Sequence, residues 1–259
     1  MTLLIFDIET IPDVASGRKL YDLEGLSDVD TAEALFALRR AKVGHDFLPL
    51  HLQRVVAISL VIQTASQLKV WSIGEESSDE KEIITRFFTG IEKHIPTLIS
   101  WNGSGFDLPV LHYRALKHGI ASPTYWESGE HQQAFRWNNY LNRFHYRHLD
   151  LMDVLAGYQN KAFAPLDEIA SMLGFPGKMG MSGSRVWSEY LSGNIKGIRD
   201  YCETDVLNTY CVYLRFELIR GTLLPNEYKT SMERLHKYLS AETDKPHLQD
   251  FLRLMPSLS

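Results

Sequence analysis

The sequence predicts an α/β fold in which a mixed five-stranded sheet is flanked by helices. Three observations predict it. Short β-prone apolar runs recur from the first residues to about position 151. Two of them, 54–63 and 68–73, are separated only by the polar residues 64–67, which reads as a hairpin. The remaining runs alternate with longer stretches whose apolar residues recur at helical spacing. The 259 residues are 44% hydrophobic and 23% charged, a composition that suits one globular unit with a sizeable core.

Leu3, Leu4, Ile5 and Phe6 open a buried strand that should end near Thr10, before Pro12. Residues 13–50 form an excursion with an amphipathic helical stretch at 31–42, and the hairpin strands follow it. A helix over 79–94 precedes a strand at 97–101, which Asn102-Gly103-Ser104-Gly105 should turn. Leu108, Val110, Leu111 and Leu116 then mark a helix running from Asp107 to about Gly119. The segment 121–148 leads to a fifth strand near 148–151. Beyond a loop at 174–183, expected to be mobile, a long helix covers about 195–216. The polar tail from Glu242, with an apolar patch at Phe251, Leu252, Leu254 and Met255, is expected to fray or to dock on a partner. The expected units are a main domain over 1–218, with insertions at 13–50 and 121–148, and a helical extension and tail over 219–259.

Carboxylates carry the chemical signal. Asp7 and Glu9 alternate with Ile8 along a strand, so they share one face. Tyr201 and Asp205 lie four apart on a helix and therefore stack on one face. Asp107 sits at a helix start, where an aspartate also serves with no metal at all. Four carboxylates brought within about 5 Å would repel by on the order of 3 kcal/mol per pair at an effective dielectric of roughly 20. Such a cluster keeps protons or holds cations. An oxygen-only set suits two Mg²⁺ or Mn²⁺ ions better than zinc, and two-metal phosphoryl transfer is the chemistry that uses it most.

FDIET, NGSGFD (residues 102–107) and YCETD (201–205), in that order, resemble the three motifs of the DEDD superfamily of 3′–5′ exonucleases. The sister subgroup places histidine where Asp200 stands here. Tyr201 occupies the position of the tyrosine subgroup, and the chain is most similar to the proofreading domain of family B DNA polymerases. The resemblance covers about residues 1–218 and implies a ribonuclease H-like sheet. It also implies that Asp7 bridges both metals, that Glu9 and Asp205 complete the nucleophile-side metal, and that Asp107 serves the leaving-group side. Tyr201 would orient the attacking water, and Thr10, Asn102 and Phe106 would touch substrate. No polymerase domain accompanies the motifs, which leads us to expect a free-standing nuclease or one member of a replication or repair assembly.

Composition bounds the rest. A net charge of −5 argues against broad polyanion binding, yet Arg114, Lys117, Arg136, Arg143 and Arg147 face only Glu127 and Glu130 between 108 and 148, whereas residues 1–34 hold eight acids. Seven aromatic residues between 125 and 146 are interleaved with Arg136, Arg143 and Arg147. Two readings stand: a satellite core, or a platform that stacks unpaired bases. Lys178 touches a substrate phosphate or merely lies in a loop that lacks P-loop spacing. Asp150 and Asp153 are extra ligands or structural acids, and His112, His118, His145 and His148 lack the spacing of a zinc site. Two cysteines, Cys202 and Cys211, form no disulfide framework and read as small buried residues. No long apolar run appears, so a cytoplasmic protein acting away from membranes is expected. The expected substrate is single-stranded nucleic acid, DNA favoured over RNA. RNA trimming, or a non-catalytic binding scaffold, are the alternatives, and the scaffold is disfavoured because all four acids and Tyr201 are present.

Overall fold

In the computed structural model, which describes residues 2–256, one mixed sheet runs in the order β3-β2-β1-β4-β5. β1 (Leu3–Pro12), β2 (Gln53–Gln63) and β3 (Leu68–Ser72) form an antiparallel meander, and β4 (Thr97–Ser100) and β5 (His148–Asp150) continue it parallel to β1. This is the ribonuclease H-like arrangement. Between β1 and β2 lie α1 (Val14–Tyr21), α2 (Asp28–Val43) and a 3-10 turn (Leu50–Leu52). Helix α3 (Glu80–His94) joins β3 to β4, and α4 (Asp107–His118) and α5 (Pro123–Trp126) precede β5. After β5 come α6 (Leu151–Leu155), α7 (Leu166–Met172), α8 (Val186–Leu191), α9 (Ile195–Ile219), α10 (Pro225–Ala241) and α11 (Pro246–Leu254).

Central position and strict alternation explain β1. Leu3 and Ile5 join the core beneath α9, whereas Leu4, Phe6 and Ile8 join the core beneath α3 and α4. Asp7 and Glu9 continue the first set and so face α9. A bulge follows at once: Glu9 pairs with Ala57 but Thr10 pairs with Val55. An extra residue in β2 there bends the strand beside the carboxylates. It also lets pairing continue through Pro12, two residues beyond the expected end of the strand.

An ion-pair network fixes the upper end of β1. Arg114, 2% exposed, donates twice to Glu80 (2.7 and 2.5 Å) and once to Asp13, while Glu80 also accepts the Val55 N–H at 2.7 Å. The guanidinium and Lys117 hold the Asp13 carboxyl well below its usual range against the opposing effect of burial. α4 is thereby pinned to β1, β2 and α3 together, and a buried charge is tolerated because every member is paired.

Three expectations about local structure need correction. The insertion holds two helices, and α2 starts at Asp28 because the Ser27 hydroxyl oxygen accepts the Asp30 N–H and two acids fill the first turn. The loop at 174–183 is anchored: Asn208, 1% exposed, donates to Gly177 O (2.9 Å) and accepts the Gly177 N–H (3.1 Å). The tail is a helix whose Leu248 and Phe251 are fully buried against α9 and α10, and Lys245 and His247 bond Glu203 of α9 at 2.9 Å each. Among the described residues no helix is long and apolar enough to cross a membrane.

Candidate active site

The second motif reaches the first through a strand that stops short. β4 pairs with β1 only from Leu3 to Ile5, so the Ile8 N–H on that side has no strand partner. Asp107, at the first position of α4, fills the vacancy: its Oδ1 accepts the Ile8 N–H at 3.2 Å across 99 residues of chain. Its side chain thereby serves β1 as well as the backbone at the start of its own helix. The turn before it is close-packed. A Cβ on Gly103 would lie 2.2 Å from Ser100 Oγ, and one on Gly105 would lie 2.4 Å from Asn102 Oδ1. Asp150 accepts the N–H groups of Asn102 (2.9 Å) and Ser104 (2.8 Å), so its role in this structure is to hold the turn.

The third motif arrives on α9, which crosses the face of β1 that carries Asp7 and Glu9. One oxygen each of Asp7 and Glu9 and the Cys202 sulfur lie within 4.8 Å of one another. The Cys202 thiol donates to Asp7 O (3.4 Å) and Oδ2 (3.5 Å), and burial followed by the surrounding acids pushes its pKa well up, so it remains a thiol. This contact was not legible from YCETD alone.

Asp7 and Glu9 lie in the field of the other two acids. Burial, then Asp107 and Asp205, raise Asp7 well above the carboxylate range, and burial, then Asp7, Asp205 and Asp107, do the same to Glu9. Burial pushes Asp107 up to about 7 and Asp205 up to about 6. Asp205 is held down in part by contact with the Tyr201 phenol and by the Lys178 ammonium. Tyr201 is itself pushed up by burial and then by Asp205 and Glu9, so it stays protonated at any physiological pH. The arrangement can accept cations on four carboxylates and donate one hydrogen bond from the phenol.

The remaining candidates divide. Thr10, next to Glu9, donates its hydroxyl to Gln53 Oε1 at 3.0 Å, and Phe106 abuts Asp107 with its ring 5.7 Å from that of Phe47. Asn102, at φ 63°, folds its side chain over its own turn. Lys178 is exposed on the loop that Asn208 clamps, one helical turn beyond Asp205. Spacing could have found Asn208, since residues 201, 205 and 208 fall on one helical face.

The segment 121–148 is in large part a satellite core. Tyr125, Phe135 and Tyr140 are at most 3% exposed and pack with Phe87 and Phe88 of α3, although Trp126, Trp137, Phe144 and Tyr146 stay exposed. Its arginines are mostly engaged. Arg143 forms a two-pronged pair with Asp153 (3.1 and 2.6 Å). Arg147 lies 4.2 Å over the Phe135 ring and donates to Asn138 O at 2.6 Å. Arg136 is exposed beside Trp137, 5.7 Å from its ring centroid. The four histidines go to separate partners, namely Tyr125, Glu80, Asn139 and Ser100.

No curated protein sequence matches the chain. Among solved structures, the zinc-bound complex of E. coli ExoI with single-stranded DNA is similar, with 11% identity and a TM-score of 0.35 over 83% of this chain. This chain spans 43% of the length of that one. A family model described as a predicted 3′–5′ exonuclease related to the exonuclease domain of PolB matches residues 45–255, a stretch that includes Asp107, Tyr201 and Asp205 and begins after Asp7 and Glu9. With most of its length matched, the chain belongs to this family of 3′–5′ exonucleases related to the exonuclease domain of PolB.

Proposed function

We propose that the protein hydrolyses the 3′-terminal phosphodiester of single-stranded or frayed nucleic acid, DNA in preference to RNA, and releases nucleoside 5′-monophosphates. The observation that carries this reading is a buried pair of strand acids, Asp7 and Glu9, that lies in the field of Asp107 and Asp205 from two distant segments. A set of buried acids whose one basic neighbour is the exposed Lys178 beside Asp205 is a poor structural device and a good cation cradle. The donor set is all carboxylate oxygen, because Cys202 keeps its proton, and this favours Mg²⁺ or Mn²⁺ over zinc. Bound there, two divalent cations would supply Lewis-acid activation of water and neutralise charge on the phosphate.

In this reading Asp7, Glu9 and Asp205 would hold one cation, and Asp7 together with Asp107 would hold the other. Tyr201, protonated, donates its hydrogen bond to orient the water. Lys178, facing Asp205, neutralises part of the phosphate charge. Residues 1–218 would carry the chemistry, and the helices of the 219–259 extension, α10 and α11, would brace α9. The preference for DNA rests on the relation to a DNA polymerase's exonuclease domain.

The test is hydrolysis of end-labelled single-stranded DNA and RNA with Mg²⁺ or Mn²⁺, by wild type and by Asp7→Ala, beside calorimetric titration of Mn²⁺. Asp7→Ala should lose hydrolysis and cation affinity together. Full activity of the variant, or of wild type in excess EDTA, would refute the reading.

A further inference from the structure

The insertion between β1 and β2 ends in an exposed aromatic ring that is held in place beside Phe106, the residue before Asp107. Phe47 is 53% exposed, so its ring face is open to a ligand. Its backbone is nevertheless fastened on both sides. Arg39 Nε donates to Phe47 O at 2.9 Å, and Gln53 Nε2 donates to Leu48 O at 3.1 Å. Gln53 is 6% exposed, and its Oε1 accepts the hydroxyl of Thr10, the residue after Glu9, at 3.0 Å. The loop carrying the ring is thus tied through one buried amide to the strand that carries the acids. On its other side the ring sits 5.7 Å from Phe106, the residue before Asp107, tilted by 51°. The last turn of α2, a few residues earlier, adds Lys42 and Arg40, the latter paired with Asp46 at 3.4 Å.

We infer, resting on the exonuclease reading, that Phe47 is a substrate-binding residue whose ring stacks on an unpaired base near the 3′ end while it is bound at the cluster. A flat, pre-positioned ring suits a nucleobase, since every base offers a π-face and an ordered ring loses little entropy on stacking. The cations of α2 suit the phosphates that accompany those bases. A protein partner would be served as well by any apolar side chain at position 47. A base requires a ring, and the experiment turns on that difference.

Binding of 5′-fluorescein-labelled dT12 is measured by anisotropy in EDTA for wild type, Phe47→Leu and Phe47→Trp. It is repeated with an oligomer whose last three nucleotides are abasic. Phe47→Leu should bind dT12 about 10-fold more weakly, and Phe47→Trp should bind it within about 2-fold of wild type. All three should bind the abasic strand alike. In Mn²⁺ the leucine variant should raise KM for dT12 more than it lowers kcat, with an unchanged melting temperature. Equal affinity of leucine variant and wild type for dT12, or the same loss on the abasic strand, overturns the inference. Because the binding arm needs no chemistry, it decides the question even if wild type hydrolyses nothing, an outcome that counts against the exonuclease reading instead.

Discussion

Charge in the carboxylate cluster should make the metal-free protein lose stability as pH rises. Asp107 ionises near 7 and Asp205 near 6 in the fold, against an ordinary value of 3.8 for each. A raised carboxylate pKa means that the folded state holds protons the unfolded state has released. The stabilisation is therefore complete below about pH 4 and disappears as pH passes through 6 to 7. One pKa unit corresponds to about 1.4 kcal/mol, so the pair is worth on the order of a few kcal/mol once their coupling is allowed for. For a domain of this size that is roughly 5 to 10 °C in Tm. The assay is thermal unfolding in EDTA at pH 5 and pH 8 for wild type and Asp107→Asn. Asparagine keeps the oxygen that accepts the Ile8 N–H and removes the charge. Wild type should melt lower at pH 8 than at pH 5, and the variant should lose much of that difference. Mn²⁺ should restore wild type at pH 8 and do little for the variant. A pH-independent wild-type Tm, or an asparagine variant no more stable than wild type in EDTA at pH 8, would show that the acids do not share one field.

Other outcomes follow from individual contacts. Tyr201→Phe should slow hydrolysis by roughly 10- to 1000-fold, about 1.4 to 4 kcal/mol of transition-state stabilisation, with Mn²⁺ affinity unchanged by calorimetry. An unaltered rate would leave Tyr201 as a packing residue. Asn208→Ala leaves the Gly177 N–H and C=O without their partner and should cost about 1 to 3 kcal/mol in chemical denaturation. By freeing the Lys178 loop it should also raise KM for oligonucleotides, and a stability loss with KM intact would separate the loop from the substrate. Arg143→Ala should lower stability by about 1 to 2 kcal/mol, because it strands the buried Asp153, with little change in the salt dependence of binding. A flattened salt slope in that variant would return the segment 121–148 to the substrate path.

Local periodicity determined a good part of this protein. Alternation along β1 put Asp7 and Glu9 on one face, and helical spacing put Tyr201 and Asp205 on another, because both depend only on the repeat of one element. The hairpin, the helix over 79–94 and the start of α4 at Asp107 were legible for the same reason: caps, turns and apolar periods act within a few residues. The charge of Arg143 and Arg147 was legible too, but not its use, since a nearby acid and two rings absorb it only once the segment folds. What the sequence left open was every contact made across the chain. The bond from Ile8 to Asp107 exists because β4 ends early, the thiol of Cys202 meets Asp7 because α9 crosses β1, and Asn208 reaches Gly177 because the loop folds back on α9. The tail reads as polar with one apolar patch, yet that Phe251 of this patch and Leu248 find their core on α9 of the same chain follows only from the packing. Spacing sets which way a side chain points along its own strand or helix. Only the packing of those elements, driven by burial of apolar surface, decides what it points at.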